Sequence, residues 1–278
     1  MSSLVINTNT EAIAAYNNLN ATDQAMSTAV NRLSSGLKVQ TAADNASGYV
    51  ISQFLTEQSN GLSQAISNGQ DAVSVLQTAS GAMNQITAVL QRMNQLATQA
   101  SNGGATSTQA QSADNQEFQA LMNQVSQIAN TTDFGGTQLL NGSYQGQTFQ
   151  LGAYNSANDQ VTVSIAALTA GAAGVAISAQ SISTTVSAQA AMSAIQAAIS
   201  YVASQEASIG AIQNQIQVLT ANNTVTQQNV QSANSQIVDT NMAKTMTQYS
   251  ADQILMQAGT AMLSQAQQNP NLVLKLLQ

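Results

Sequence analysis

An apolar residue recurs at every seventh position near both ends of this chain. The N-terminal series, on a helix expected over residues 4–33, is Val5, Ala12, Leu19, Met26 and Leu33. The C-terminal series is Met242, Tyr249, Met256 and Leu263. A seven-residue repeat of this kind is the packing edge, or seam, of a helix that lies lengthwise against another helix. Because a single helix cannot shield such a seam from water, we predict that the two ends of the chain form a coiled coil with each other.

A leucine-rich run closes the chain after Pro270, and we expect that proline to end the last helix. The apolar members of the run are Leu272, Val273, Leu274, Leu276 and Leu277. A soluble monomer would leave these side chains in water, so we expect assembly with other subunits to bury them.

The composition excludes most catalytic and metal chemistry. The chain has no cysteine and no histidine, so disulfides, thiolate metal sites and histidine-based acid–base catalysis are not available to it. Asp114 and Glu117 would share one helix face, but no base, nucleophile or phosphate-binding loop accompanies them. We therefore expect no enzyme activity, no cofactor and no metal.

Charge is scarce along the whole chain. Charged residues make up 6% of it, against roughly a quarter in ordinary globular proteins. The five basic residues are scattered, which argues against nucleic-acid binding. No apolar run approaches the roughly 18 residues of a membrane span, so we expect no membrane insertion. A surface solvated mainly by Gln, Asn, Ser and Thr has weak charge repulsion, and such a chain should associate readily.

The residues between the two ends predict further long helices. One covers residues 46–100, a shorter one covers 107–130, and a third carries a seven-residue series over 195–237. Asn223 interrupts the apolar series of the third helix. It is either a buried residue that fixes helix register or part of a locally frayed turn.

A small antiparallel sheet is predicted between residues 137 and 165. Residues 148–151 and 161–165 alternate in the manner of strands, and Asn141-Gly142 is a strong hairpin signal. Residues 166–191 are rich in Ala, Ser, Thr and Gly with little periodicity, so we predict a short insert that faces solvent.

Together these segments predict a mainly α fold. It consists of a terminal coiled coil and a rod-like bundle of long helices, with a small antiparallel β-hairpin region near the middle of the chain. Three parts are expected: residues 1–43 with 238–278 as the inner coiled coil, 44–165 with 192–237 as the bundle and sheet, and 166–191 as the insert.

The two ends of the sequence resemble one protein family. Residues 5–9 (VINTN), 32–37 (RLSSGL) and 42–48 (AADNASG) resemble N-terminal segments of bacterial flagellin. Residues 253–260 (QILMQAGT) and 269–277 (NPNLVLKLL) are similar to its closing segments. The resemblance covers most of the chain outside the insert, so the sequence looks like a short flagellin without large outer domains.

This resemblance implies a structural subunit that polymerises with itself into the flagellar filament, with paired termini lining the central channel. It also implies an extracellular location, export without a cleaved signal peptide, and contacts with an export chaperone, the filament cap and hook-associated proteins. Two alternatives stay open at this point: a hook–filament junction protein of the same assembly, and an unrelated coiled-coil adhesin or surface fibre.

A short segment near Arg92 resembles the patch of flagellins that the vertebrate innate-immune flagellin receptor recognises. Arg92 and Leu96 fall in that segment, and Glu117 matches an acidic position of the same patch. The segment's second basic position is occupied here by Met93-Asn94-Gln95. The alternative is that Arg92 pairs across a contact between subunits.

Overall fold

A computed structural model describes residues 8–104 and 107–276, with side chains described up to residue 268. Val5 and Leu277 lie outside the described residues, as do the side chains of Leu272, Val273, Leu274 and Leu276. The helices are α1 (Thr10–Ser35), α2 (Ala46–Ala100), α3 (Thr108–Thr131), α4 (Thr185–Val238) and α5 (Met242–Leu276). The strands are β1 (Asp133–Phe134), β2 (Thr137–Gln138), β3 (Gln147–Gln150) and β4 (Gln160–Val163), with a 3-10 turn at Ala157–Asp159.

The chain divides into two compact units. The first, which we call the terminal unit, combines Met1–Thr56 with Val230–Gln278. The second, the central unit, is Glu57–Asn229. Both boundaries of the compact units, at residues 56/57 and 229/230, fall inside long helices. The boundaries expected from the sequence were at residues 43/44 and 237/238.

Helix α1 begins later than predicted because Asn9 caps it. The Asn9 Oδ1 atom accepts a hydrogen bond from the backbone N–H of Ala12 at 3.0 Å, which satisfies a donor that the first helical turn cannot pair internally. Residues 8 and 9 are non-helical, so the predicted start at residue 4 was wrong. The helix ends at Ser35, two residues beyond the predicted end, because Gly36 follows with a φ of 75°, the left-handed conformation that glycine adopts without strain.

Helix α5 continues through Pro270 to Leu276. The prediction that this proline ends the helix was therefore wrong. Proline removes one backbone donor, whereas the leucine-rich sequence beyond it consists mainly of good helix formers.

Helix α2 has the bounds predicted for it, and its apolar face lies in the core of the central unit. Leu76, Met83 and Leu90, spaced seven residues apart, are each 0% exposed. They share one core with Phe118 of α3 and Val202 of α4. A 55-residue helix is stable here because it buries this face along most of its length.

Residues 166–191 contribute to that core, so the predicted solvent-facing insert was wrong for its apolar members. Leu168, Val175, Ile177 and Ile182 are at most 1% exposed. The N–H of Leu168 donates to the Leu140 carbonyl at 2.8 Å. The irregular spacing of these side chains follows a folded loop rather than a helix or strand, so no period revealed their burial.

The sheet region contains two short hairpins. Strands β3 and β4 are antiparallel and lie within two residues of their predicted positions. The tight turn between β1 and β2 uses Gly135 and Gly136, at φ 58° and 82°, because a two-residue turn of this kind requires positive φ at both positions. The prediction of a hairpin turn at Asn141-Gly142 was wrong, since the Asn141 side chain instead accepts a hydrogen bond from the Ser143 N–H.

Asn223 fulfils neither of the roles considered for it. Its Nδ2 donates to the carbonyl of Leu151 at 2.6 Å. Leu151 directly follows β3, so Asn223 ties the end of the sheet to α4 rather than fixing the register of a helix pair.

Candidate subunit interface

The two ends of the chain form an antiparallel helix pair. At one end of the pair, the N–H of Thr240 donates to the Gly36 carbonyl at 2.9 Å. At the other end, Asn9 Nδ2 donates to the Ala266 carbonyl at 2.7 Å. Helices α1 and α5 pack against each other between these two bonds.

Each helix faces the other with a seam of half-buried and buried residues that alternate three and four residues apart. The seam of α1 consists of Ala12, Ala15, Leu19, Thr22, Met26, Ala29 and Leu33. The seam of α5 consists of Thr245, Tyr249, Asp252, Met256, Gly259, Leu263 and Ala266. This alternation is the coiled-coil pattern, in which two positions of every seven face the partner helix.

The structure places the large side chains of the two predicted series on this seam, with one exception among the described residues. Met242, at the first position of α5, is 49% exposed. The other half of the seam consists of small or polar residues that the search for large apolar side chains missed. Their signal was the three-and-four spacing from the large residues.

Small residues bring the two helix backbones close together. A Cβ atom added at Gly259 would lie 3.2 Å from Leu19 Cδ1, which is tight for two carbon atoms. Glycine at this position therefore makes room for a leucine of the facing helix.

Asp252 places a carboxylate inside the seam. The residue is 9% exposed, and among the described residues its Oδ2 atom has no hydrogen-bond partner. Leaving a buried acceptor unpaired costs about 1–3 kcal/mol. The seam therefore carries one unfavourable group.

Apolar side chains on both flanks of the seam also remain exposed in the terminal unit, and we call them together the open face. On α1 it contains Ile13, Tyr16 and Val30, each between 45% and 55% exposed. On α5 it contains Met246, Ile254, Leu255 and Met262, between 52% and 66% exposed. Apolar side chains exposed in this number on one pair of helices indicate a protein interaction site.

The connectors between the helices of the terminal unit are held by backbone pairing. The N–H of Lys38 donates to the Val238 carbonyl at 2.6 Å, and Leu37 and Asp239 form an isolated antiparallel bridge. The Asp44 carboxylate accepts hydrogen bonds from the backbone N–H groups of Thr41 and Gln40. These bonds lower the pKa of Asp44 from its ordinary value of 3.8.

Arg92 and Glu117 form an ion pair in the central unit. Arg92 Nη2 and Nε lie 2.8 Å and 3.0 Å from the same Glu117 oxygen, and about half of each side chain is exposed. Leu96 is only 2% exposed and belongs to the core. Arg92 thus pairs with an acidic residue of its own chain, whereas the alternative considered above was an ion pair with a residue of another subunit.

The part of the chain that the structure describes shows neither a metal cluster nor a membrane span. Within it, no three His, Cys, Asp or Glu side chains are grouped to hold an ion. None of its helices combines the length and the hydrophobicity needed to cross a membrane. A coiled coil of the two chain ends with an apolar open face defines a class, the self-associating α-helical structural proteins.

Comparison with known families identifies the particular one. The model of the bacterial flagellin N-terminal helical region matches residues 6–145, and that of the C-terminal helical region matches residues 192–277. The flagellin of Halalkalibacterium halodurans is 36% identical over 274 residues, which cover 99% of this chain and 100% of that protein. The chain belongs to the bacterial flagellin family, and it is a structural subunit of the flagellar filament.

Solved structures share the fold at lower identity. The crystal structure of Bacillus cereus flagellin aligns with a TM-score of 0.50 and 23% identity, over 56% of this chain and 88% of that one. A putative flagellar hook-associated protein from Vibrio parahaemolyticus aligns with a TM-score of 0.58 and 14% identity, over 70% of this chain and 100% of that one. Both likenesses concern the fold alone. The match of both family models and the full-length relative favours the filament subunit over the junction protein and the unrelated fibre.

Proposed function

We propose that subunits of this flagellin contact one another through the open face of the terminal unit. The observation that supports this is that α1 and α5 pack their seams against each other within the chain and still expose apolar side chains outside the seam. A helix pair in solution gains nothing by exposing such side chains, whereas a polymer buries them.

The expected gain in free energy is sufficient for assembly. Ile254 and Met262 are 66% and 64% exposed, and fully burying a side chain of this size contributes about 1.5–3 kcal/mol. Burying several such side chains, together with the apolar tail at residues 272–277, would contribute several kcal/mol per subunit. Part of that gain offsets the entropy lost when a subunit joins the polymer.

Family membership supports a specific layout of the filament. Residues 1–43 and 238–278 would form the inner layer around the central channel, and residues 44–165 with 192–237 would form the shell outside it. Residues 166–191 would be the short counterpart of the segment that varies among flagellins. The role of the chain in this layout is structural rather than catalytic.

The same relationship supports a route and a set of partners. The subunit would leave the cell through the flagellar export apparatus without a cleaved signal peptide and would act in the extracellular filament. An export chaperone would hold it before export, and the filament cap and hook-associated proteins would contact it in the assembled flagellum.

Two variants test the proposed contact. Leu255→Gln replaces an exposed apolar side chain of the open face, and Ser250→Gln introduces the same residue at an exposed polar position of the same helix. We expect Leu255→Gln to raise the critical concentration for polymerisation severalfold and Ser250→Gln to leave it unchanged. Equal polymerisation of both variants, or normal filaments from a chain truncated after Asn271, would contradict the proposal.

We also propose that the Arg92–Glu117 pair is accessible to the innate-immune flagellin receptor. The support is the exposure of both side chains, which stand side by side on neighbouring helices. Leu96 would support the patch from the core without touching a receptor, because it is buried. In a receptor reporter assay, Arg92→Ala should reduce the signal and Lys244→Ala should not; an unchanged response to Arg92→Ala would remove this role.

A further inference from the structure

We propose that Asp23 of one subunit inserts its carboxylate into a basic cavity on the terminal unit of a neighbouring copy. The basic cavity is the recess beside Arg32 and Lys38, where α1 passes into the connector that precedes α2. The inference rests on the proposed contact through the open face and names one polar interaction within that contact.

The cavity concentrates cations in a chain that has few of them. Only five lysines and arginines occur in the sequence, yet Arg32 and Lys38 line this single recess of about 220 Å³. Asp44 is the one carboxylate on its wall. The cavity therefore carries a net charge of about +1 at neutral pH.

Asp44 does not neutralise the cavity by direct pairing. Its Oδ2 atom accepts hydrogen bonds from the N–H groups of Gln40 and Thr41 and from the Thr41 hydroxyl. No ion pair joins Asp44 to Arg32 or Lys38 within the described residues. Neither cation of the cavity is thus in contact with the Asp44 oxygens.

Both cations retain unused donors. The Nε atom of Arg32 is buried without a hydrogen-bond partner, so an incoming group cannot reach it. The Arg32 Nη atoms, which make no hydrogen bond within the described ranges, are the donors left for an acceptor. Lys38 Nζ donates to the Gln236 carbonyl at 3.2 Å, which uses one of its three donors. A carboxylate is the acceptor that an adjacent guanidinium and ammonium bind best.

The cavity is sized for a side chain rather than a larger segment. Its volume of about 220 Å³ equals roughly seven water molecules at about 30 Å³ each. A carboxylate side chain fits in such a space with a few waters, whereas a helix or strand does not.

Asp23 is the carboxylate that assembly through the open face would remove from water, so it would then require a cation as its partner. It is exposed and lies seven residues from both Tyr16 and Val30, so it shares their side of α1 on the open face. No hydrogen bond or ion pair of Asp23 occurs within the described residues. When the open face is covered, this charge loses water and must find a positive partner.

The partner must belong to another copy of the chain. Asp23 and Arg32 lie on the same helix, nine residues apart, which is about 13 Å along the axis. The two residues also lie on opposite sides of the helix, since nine residues correspond to about two and a half turns, so Asp23 does not reach Arg32 of its own chain. Because the donor and the acceptor lie at different places on the surface, the contact is head-to-tail and can repeat without closing, as a filament requires.

Charge-reversal variants mixed with one another test this contact between chains. Asp23→Lys should place a cation against the basic cavity, and Lys38→Glu should place an anion against Asp23. Each variant alone should need about tenfold more protein to polymerise at low salt, equivalent to about 1.4 kcal/mol. In a one-to-one mixture every such contact can again join opposite charges, so the critical concentration should return to within about threefold of the unmodified protein.

Lys244→Glu is the matched control, because it reverses another exposed cation of the terminal unit that does not line the cavity. Its mixture with Asp23→Lys should show no restoration. Restoration requires that both proteins fold, so a misfolded variant cannot imitate it; circular dichroism of each monomer checks the helix content. Normal polymerisation of Asp23→Lys would overturn the inference, and so would a mixture that polymerises no better than either variant alone. If the unmodified protein still forms filaments, the proposed open-face contact would stand. Failure of the unmodified protein to polymerise would instead refute the contact on which the inference rests.

Discussion

Replacing Asp252 by leucine should strengthen the coiled coil of α1 and α5. The Asp252 side chain is 9% exposed, and its Oδ2 atom has no partner among the described residues. The substitution removes a carboxylate with one buried, unpaired oxygen and adds an apolar side chain at a seam position between Tyr249 and Met256. Replacing poorly compensated buried charge with apolar groups is commonly neutral or stabilising.

The expected gain is about 2 kcal/mol. Relief of the unpaired acceptor contributes about 1–3 kcal/mol, and burying a leucine contributes about 1.5–3 kcal/mol. Leucine is larger than aspartate, so strain in the seam subtracts about 1–3 kcal/mol. Asp252→Asn keeps the shape and removes only the charge, so it should stabilise by about 1 kcal/mol or less.

Hydrogen exchange of the full chain measures this difference directly. A gain of about 2 kcal/mol should slow exchange about thirtyfold for amides of residues 245–266 that exchange by opening of the helix pair. The order of protection should be leucine above asparagine above aspartate. Faster exchange in both variants would refute the reasoning, because it would show that the carboxylate makes a stabilising contact.

Three further substitutions test the rest of the fold. Asn223→Ala removes the bond to the Leu151 carbonyl and should destabilise the central unit by about 1–3 kcal/mol in urea unfolding. Gly61→Ala would place a Cβ atom 2.9 Å from that of Ala153, which should cost about 1–3 kcal/mol in the same assay. Asp44→Asn should loosen the connector that follows α1, as measured by exchange of its amides. The pKa of Asp44 in the folded protein is lowered from 3.8, so the ionised carboxylate stabilises the fold above that value. The difference in exchange rate between the unmodified protein and Asp44→Asn should therefore vanish as the pH falls through the folded pKa.

Periodic segments were the most predictable part of the fold. Helix α2 could be bounded from its sequence because Asn45 precedes it, an apolar residue recurs every seven positions, and Gly103-Gly104 follows it. The pairing of the chain ends was predictable because Leu19 and Met256 belong to series that only another helix can cover.

The rest depends on contacts that leave no local pattern. Gly259 and Asp252 are seam residues of types that do not mark a helix seam, so their three-residue spacing from Met256 and Tyr249 was the only local sign of their role. Ile177 and Ile182 are buried by a loop whose path no periodicity encodes. The ion pair of Arg92 with Glu117 depends on how α2 and α3 are aligned, which sequence spacing alone does not specify.

The most direct test of the subunit contact is hydroxyl-radical footprinting of monomer and filament, read by mass spectrometry. Tyr16 and Met262 of the open face are 55% and 64% exposed in the single chain. If this face forms the filament contact, their oxidation should be at least about tenfold slower in filaments than in monomers, since burial in a packed interface excludes the solvent that carries the radicals. Equal oxidation of both residues in the two forms would contradict the account.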